Sequence, residues 1–533
     1  MISLGSETER DQRAPLRAAL PYLLPLLLCL ASFAAFAIAA RHHPLGTYWT
    51  ETDFYHYYGP DAVRIAAGKF PQNPYQGPGF PALVALVSRF TGDGFVAGKW
   101  ISVVCATLTV ALTFLLFARL FGYWVGLGAA ALVPVSAQFP QFAIGATTDA
   151  LFLMLAVGCF FVLVEESIGI QWRVALASGI AGFAYVVRYN GLFLPATILL
   201  AILALNIAQR DWRGRLKLSA VALVVFLVTT SPWLYANYVH RGSPFYNANY
   251  LNMATEFYPE LADGKTNQDG TRGLEATFAS FADVLRYDPG RMLRRYPVNL
   301  YESLRQILRS DLLSELTGWL ALAGLLIVVG ERRSKAALML ITALVIYFLL
   351  MGLNHWETRY YFFVMVVFCG LAVYAVARFW ELLRARIGAS GRVLVLAPIA
   401  VFAGMWWSSF VMARNDLRGF LASHPMEVVS ACDYLRAQGI HGAKIVARKP
   451  HLPVICGQEW VFFPPVKSID ELREWLIANP ADYLVISSIE VKRRKELSAL
   501  RSSATAPPWL EVAWESQDPL LVLYRPRFDR SGK

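Results

Sequence analysis

Long apolar runs recur along this chain, and they restrict its fold more than any motif does. A helix crosses about 30 Å of hydrocarbon with roughly 20 mostly apolar residues. Runs of that kind predict about eleven spans, near 16–40, 95–120, 123–142, 148–165, 173–189, 191–208, 216–238, 313–330, 336–353, 359–377 and 393–413. The expected class is a polytopic α-helical membrane protein. Composition agrees, because 56% of the 533 residues are hydrophobic and 16% are charged, which is far from a soluble domain. One further run, Phe80–Phe90, is too short to cross and reads as interfacial or re-entrant. The first run follows Arg10, Arg13 and Arg17; it is too long for a signal-peptide core and reads as a retained signal anchor.

The net charge is +11, but the basic residues sit mainly in short loops between apolar runs, so they signal topology and no nucleic-acid partner is expected. With the N-terminus cytoplasmic, the inner loops carry Arg119; Arg173; Arg210, Arg213, Arg215 and Lys217; Arg332, Arg333 and Lys335; and Arg378, Arg384, Arg386 and Arg392. All of these loops obey the positive-inside rule. The same parity places residues 41–94, 239–312 and everything after about 414 outside. Within the second outer loop, Ala282–Ser310 mixes apolar and basic residues, which suits helices along a membrane surface or a solvated loop helix.

The tail, residues 424–533, reads differently. "MEVVSACDYLRAQG" predicts a helix ending at Gly439, "KIVARKP" a strand and "SIDELREWLIAN" a helix capped by Ser468. "DYLVISS" predicts a buried strand, and "WLEVAW" with "LLVLYRP" a closing hairpin. Alternating strands and helices predict a small α/β domain on the exoplasmic side, accessory because no Gly-rich phosphate loop marks it. Cys29, Cys105, Cys159 and Cys369 fall in apolar spans, while Cys432 and Cys456 lie in this tail and can pair if it is outside the cytoplasm. Neither CxxC nor zinc-type spacing occurs, so no metal finger is expected.

Candidate chemistry gathers on the outer face. Glu51 and Asp53 follow the first span; if that stretch is extended, residues two apart share a face and both carboxylates aim at one cavity. Asp149 lies where one span ends and the next begins, so it is either a second acid or part of an N-cap with Thr147 and Thr148. Arg188 and Arg359 fall at outer membrane ends, where the guanidinium forks suit a phosphate or simply snorkel. His355 and Glu357 lie beside Arg359, and Tyr57 belongs to the tyrosine cluster after Asp53.

Together these stretches resemble a family. Glu51-Thr52-Asp53 looks like the modified acid-x-acid motif of GT-C glycosyltransferases. The stretches "DFYHYYGPDAVRIAAGKFPQNPYQGPGFPALVAL", "RLFGYWVGLGAAALVPVSAQFPQFAIGATTDALFLML", "SPWLYANYVHRGSPFYN" and "HWETRYYFF" are similar to its bacterial members. The type is that of protein O-mannosyltransferases and the aminoarabinose transferase of lipid A (glycosyltransferase family 39), and the resemblance covers roughly residues 1–415. Two departures stand out: Ala236 precedes Asn237 where an Arg-Asn pair is expected, and "YQGPGFP" replaces a Lys-Pro-Pro signature.

The resemblance implies a GT-C membrane catalytic domain in the bacterial inner membrane, with outer loops 41–94 and 239–312. It implies inverting transfer of a sugar from a polyprenyl-phosphate carrier to a hydroxyl of a glycolipid, polysaccharide or protein. Asp53 would be the general base and Asp149 a second acid; Arg188 and Arg359 would hold the lipid phosphate, with Glu51, Tyr57, His355 and Glu357 around the substrate. No obligatory cofactor or metal is implied, and a divalent cation stays open as an option. The rival is a transporter or lipid flippase; acids clustered at one face, beside long loops, favour the enzyme over a midplane transport site.

Overall fold

The apolar runs form a helical bundle, described in a computed structural model over residues 8–262, 273–309, 312–331, 334–387 and 396–528. Ser310, Arg332, Arg333 and Arg392 of the sequence reading lie outside these residues. Among the described residues, six helices are long and apolar enough to cross a membrane: Tyr22–Arg41, Gly94–Phe121, Ile170–Val187, Trp212–Arg241, Thr358–Arg386 and Leu396–Ala437. The other five expected spans correspond to shorter apolar helices: Tyr123–Val135, Asp149–Val164, Tyr189–Leu203, Glu315–Gly330 and Lys335–Met351. Length and composition thus show six spans, and the count of eleven goes beyond them. At 1.5 Å per residue a 16-residue helix reaches about 24 Å, short of a full crossing.

The expected span at 123–142 is broken. Its helix ends at Leu132, a 3₁₀ turn follows over Val133–Val135, Ala137 takes a positive φ of 32°, and a new helix runs Phe139–Ile144. Pro134 and Pro140 remove the backbone donors that a continuous helix would need. The short run at 80–90 is a helix, Gly79–Thr91, and its approach is tight: a Cβ on Gly77 would stand 2.0 Å from the Val186 carbonyl oxygen. The second outer loop holds helices Phe281–Tyr287 and Pro289–Ile307, capped by Ser280 and Asp288.

The tail folds around a five-stranded sheet, in order β2-β1-β3-β5-β4, with β1 Lys444–Ala447, β2 Glu459–Phe462, β3 Tyr483–Ser487, β4 Leu510–Gln517 and β5 Leu520–Pro526. The first three pair in parallel; β5 runs antiparallel to β3 and β4. Side chains alternate between two cores. Ile445, Tyr483, Val485, Leu521 and Leu523 join one, and Val446, Leu484, Ile486, Val522 and Tyr524 the other. The expected helices, strands and hairpin are present, including the Ser468 cap and a left-handed Gly439. The edge strand β2 and a short helix, His451–Ile455, were not expected. A disulfide joins Cys432 to Cys456, with Cα atoms 5.4 Å apart.

Candidate active site

The first outer loop is organised around a buried carboxylate. Glu51 is fully buried; it meets His43 Nε2 at 2.7 Å and accepts from Thr47 N at 2.9 Å and Thr47 Oγ1 at 3.0 Å. His43 Nδ1 in turn lies 2.7 Å from His424 Nε2 at the foot of the tail. Lys99 closes the arrangement from below, donating to the Ala40 and His43 carbonyls. These contacts fix the chain leaving the first span.

The stretch carrying the two acids is not extended. Asp53 has helical dihedrals (φ −64°, ψ −27°) and opens a π-helical turn, Phe54–Tyr58. Residues two apart on such a coil point about 200° apart. Glu51 therefore turns into the protein and Asp53 into a cavity, which corrects the expectation of an extended stretch with both carboxylates aimed at one cavity. Among the described residues, no three His, Cys, Asp or Glu side chains gather as a metal site.

The cavity has a volume of about 940 Å³. Both outer loops, the turns at Arg188–Leu192 and Leu353–Tyr360, and the tail contribute to its wall. It brings together Asp53, Tyr57, Arg188, His355, Glu357 and Arg359. Arg359 Nη1 stands 3.5 Å from Asp53 Oδ2, and its Nε donates to Glu357 Oε2 at 2.5 Å. His355 Nε2 lies 3.3 Å from Glu357 Oε1. Burial would raise the Glu357 pKa, but the Arg359 charge and the His355 contact outweigh it and hold the carboxyl well below its ordinary range.

Arg188 reaches the same place from another turn. Both guanidiniums lie near the Tyr360 ring, Arg188 5.4 Å and Arg359 5.5 Å from its centroid. Tyr347 donates to the Tyr360 carbonyl at 2.6 Å and fixes that turn. Asp149 is absent from the cavity wall: it is 4% exposed and accepts from Arg188 Nη1 at 2.5 Å. Thr148, at the cap position, makes no side-chain capping bond and instead accepts from Arg188 at 3.1 Å. Asp149 is thus a buried partner of Arg188 rather than a residue of the cavity wall.

Asp61, in the first turn of the helix Gly59–Ala66, is buried and accepts from the Gln72 and Asn73 amides at 2.7 and 3.0 Å. Burial raises its pKa and those amides oppose the shift. Arg241 donates to the carbonyls of Gln72 and Asn73, which joins the first loop to the second. Asn237, at the departure noted in the sequence, donates to the Pro244 and Tyr246 carbonyls.

The sequence reading missed the tail's share of the wall. Lys449, Trp460 and Phe462 line the cavity, and Lys449 Nζ donates to Thr52 Oγ1 at 2.8 Å, one residue before Asp53. Trp460 meets His56 edge-on, with ring centroids 4.5 Å apart. Burial, and secondarily the Lys449 charge, lowers the His56 pKa to about 3, so this imidazole is neutral at ordinary pH. Neither "ARKPH" nor "QEWVFF" carries a signal that could have placed it here.

Comparisons agree with this architecture. Residues 74–235 match the family model described as dolichyl-phosphate-mannose-protein mannosyltransferase. No curated protein sequence matches the chain. Among solved structures, the oligosaccharyltransferase AglB from Archaeoglobus fulgidus, in complex with an inhibitory peptide and a dolichol-phosphate, aligns with a TM-score of 0.60 at 13% identity. That alignment covers 95% of this chain and 75% of AglB. ArnT from Cupriavidus metallidurans bound to undecaprenyl phosphate aligns with a TM-score of 0.55 at 13% identity, over 95% of this chain and 99% of ArnT. At these identities the likeness is one of fold, shared with both of these proteins.

Proposed function

We propose that this chain is an inverting membrane glycosyltransferase that moves a sugar from a polyprenyl-phosphate carrier to an acceptor hydroxyl on the exoplasmic side. The observation that carries the reading is Asp53, a partly exposed carboxylate 3.5 Å from Arg359, with Arg188 and Arg359 both close to the Tyr360 ring. A base and two guanidiniums in one cavity match the two charges that such a transfer develops.

The acceptor oxygen attacks the anomeric carbon from the side opposite the phosphate. Asp53 takes the hydroxyl proton as the new C–O bond forms, a contribution of about 10²–10⁴-fold. The old C–O bond breaks with its electron pair on the phosphate, and Arg359 and Arg188 neutralise the charge appearing there. Phosphate is a good leaving group, so one carboxylate is enough, unlike the pair used by glycosidases. Glu357 and His355 orient Arg359, Asp149 orients Arg188, and Tyr57 offers an aromatic wall.

The likeness to a structure bound to undecaprenyl phosphate supports a lipid-linked donor, as do Leu192, Leu350 and Met351 on the cavity wall. Loop charge parity supports a bacterial inner membrane setting with the N-terminus inside and the cavity outside. The Cys432–Cys456 disulfide supports an oxidising compartment for the tail.

The test is Asp53→Asn in a strain lacking the native gene. The variant should insert and accumulate normally while the envelope glycan made by the wild-type protein disappears from mass spectra. Wild-type glycan levels in that strain would remove Asp53 from the role of base.

A further inference from the structure

The tail looks accessory in sequence, yet its sheet turns a functional edge toward the cavity. β2 is one of the two edge strands, and Trp460 and Phe462, two apart, share one of its faces. The ends of β1 and β2 point the same way because these strands are parallel; Lys449 follows the end of β1 and Phe462 ends β2. Ligands of parallel sheets collect at carboxyl ends of this kind. The Trp460 indole N–H donates to the Ala447 carbonyl at 2.7 Å. That bond fixes the ring while its faces stay apolar.

The first outer loop adds aromatic residues to the same wall. Trp49 is 64% exposed, lines the cavity, and has the Lys449 ammonium 5.2 Å from its ring centroid. His56, neutral as argued above, meets Trp460. The same cavity wall also carries the amides Asn247, Asn249 and Asn252, and their own contacts tie Asn252 to Asn249 and Asn249 to the Tyr75 carbonyl. Flat aromatic rings and carboxamides in one cavity wall match the two kinds of surface of a sugar ring, which has apolar C–H faces and a rim of hydroxyls. A peptide hydroxyl calls for backbone-directed donors and acceptors instead, and a single small alcohol would leave most of this wall unused.

We propose that Trp460 and Phe462, with Trp49 and His56, form the acceptor subsite, and that the acceptor is a saccharide whose ring stacks there with its hydroxyl toward Asp53. Lys449, bonded to Thr52, positions the turn that carries Asp53. The inference rests on the transferase reading and deepens it by naming the acceptor class. The same chemistry can come from a glycolipid headgroup or from a polysaccharide.

Purified full-length protein is given donor-loaded membranes from a strain lacking the gene. Glycolipid, polysaccharide and protein fractions extracted from that strain's envelope serve as separate acceptors. Product should form on one of the two sugar-bearing fractions, and which one identifies the source. Trp460→Ala should slow transfer about 5- to 30-fold at low acceptor, the range of one to two kcal/mol, and approach the wild-type rate as acceptor is raised. Trp460→Phe should recover most of the loss. No transfer by the wild-type protein overturns the transferase reading and this inference with it. Product on a peptide hydroxyl, or a Trp460→Ala rate equal to wild type at low acceptor or reduced equally at every concentration, overturns this inference alone.

Discussion

Glu51 and Asp53 stand two residues apart and do opposite work. Glu51 spends its carboxylate on His43 and on the Thr47 amide and hydroxyl, all inside the protein, whereas Asp53 faces the cavity. Removing the charge of one partner from a buried pair costs about 3–5 kcal/mol, and a glutamine would also set an NH₂ against one of these donors. Glu51→Gln should therefore lower the melting temperature and the membrane yield of the full chain, while Asp53→Asn leaves both near wild type. Equal stability for the two variants would contradict this division. Sequence marked the acidic patch but could not divide it. The division depends on whether Glu51–Asp53 is extended or coiled, and local composition favours neither. Arg188 and Arg359 were legible as outer-end arginines, whereas Asp149's role became readable only when the chain brought it to Arg188 from 39 positions away.

Single elements were more legible than their docking. The strands β1, β3, β4 and β5 show apolar character or alternation over several residues; β2 has four residues, too few for a periodic signal. What no local pattern carries is that the tail seats on the first loop through His451. Its Nε2 lies 3.1 Å from the Thr47 carbonyl, so that nitrogen bears the proton, and Nδ1 is buried without a partner. Burial, with the Lys449 charge second, lowers the His451 pKa to about 3. In the unfolded chain the pKa is near the ordinary value, so between the two values only the unfolded state binds the proton. Stability from this group is complete above about 6.5 and is lost toward pH 3 at about 1.4 kcal/mol per unit. Thermal melts of the full chain should weaken from pH 7 to pH 5, and His451→Gln should flatten that slope. An unchanged slope in the variant would show that His451 does not titrate at this seam.

At the scale of the whole molecule, apolar runs and loop charges were enough to read a helical membrane protein with its chemistry gathered at one face. They overcounted what length alone supports, because five of the eleven helices are shorter than a full crossing. They also hid the broken helix at Val133–Phe139, where Pro134 and Pro140 sit inside an otherwise continuous apolar pattern. The assembled cavity places a carboxylate and two guanidiniums between membrane helices and the tail, and the proposal is that this arrangement takes a sugar off a lipid phosphate. The central claim is therefore about the fate of that bond. Full-length protein in proteoliposomes containing a polyprenyl-phosphate sugar, with envelope extract on the outside, should release free polyprenyl phosphate in step with sugar appearing on the acceptor, and Asp53→Asn should stop both. Movement of intact lipid-linked sugar or another solute across the bilayer, with no polyprenyl phosphate released, would contradict the account and favour a flippase or transporter.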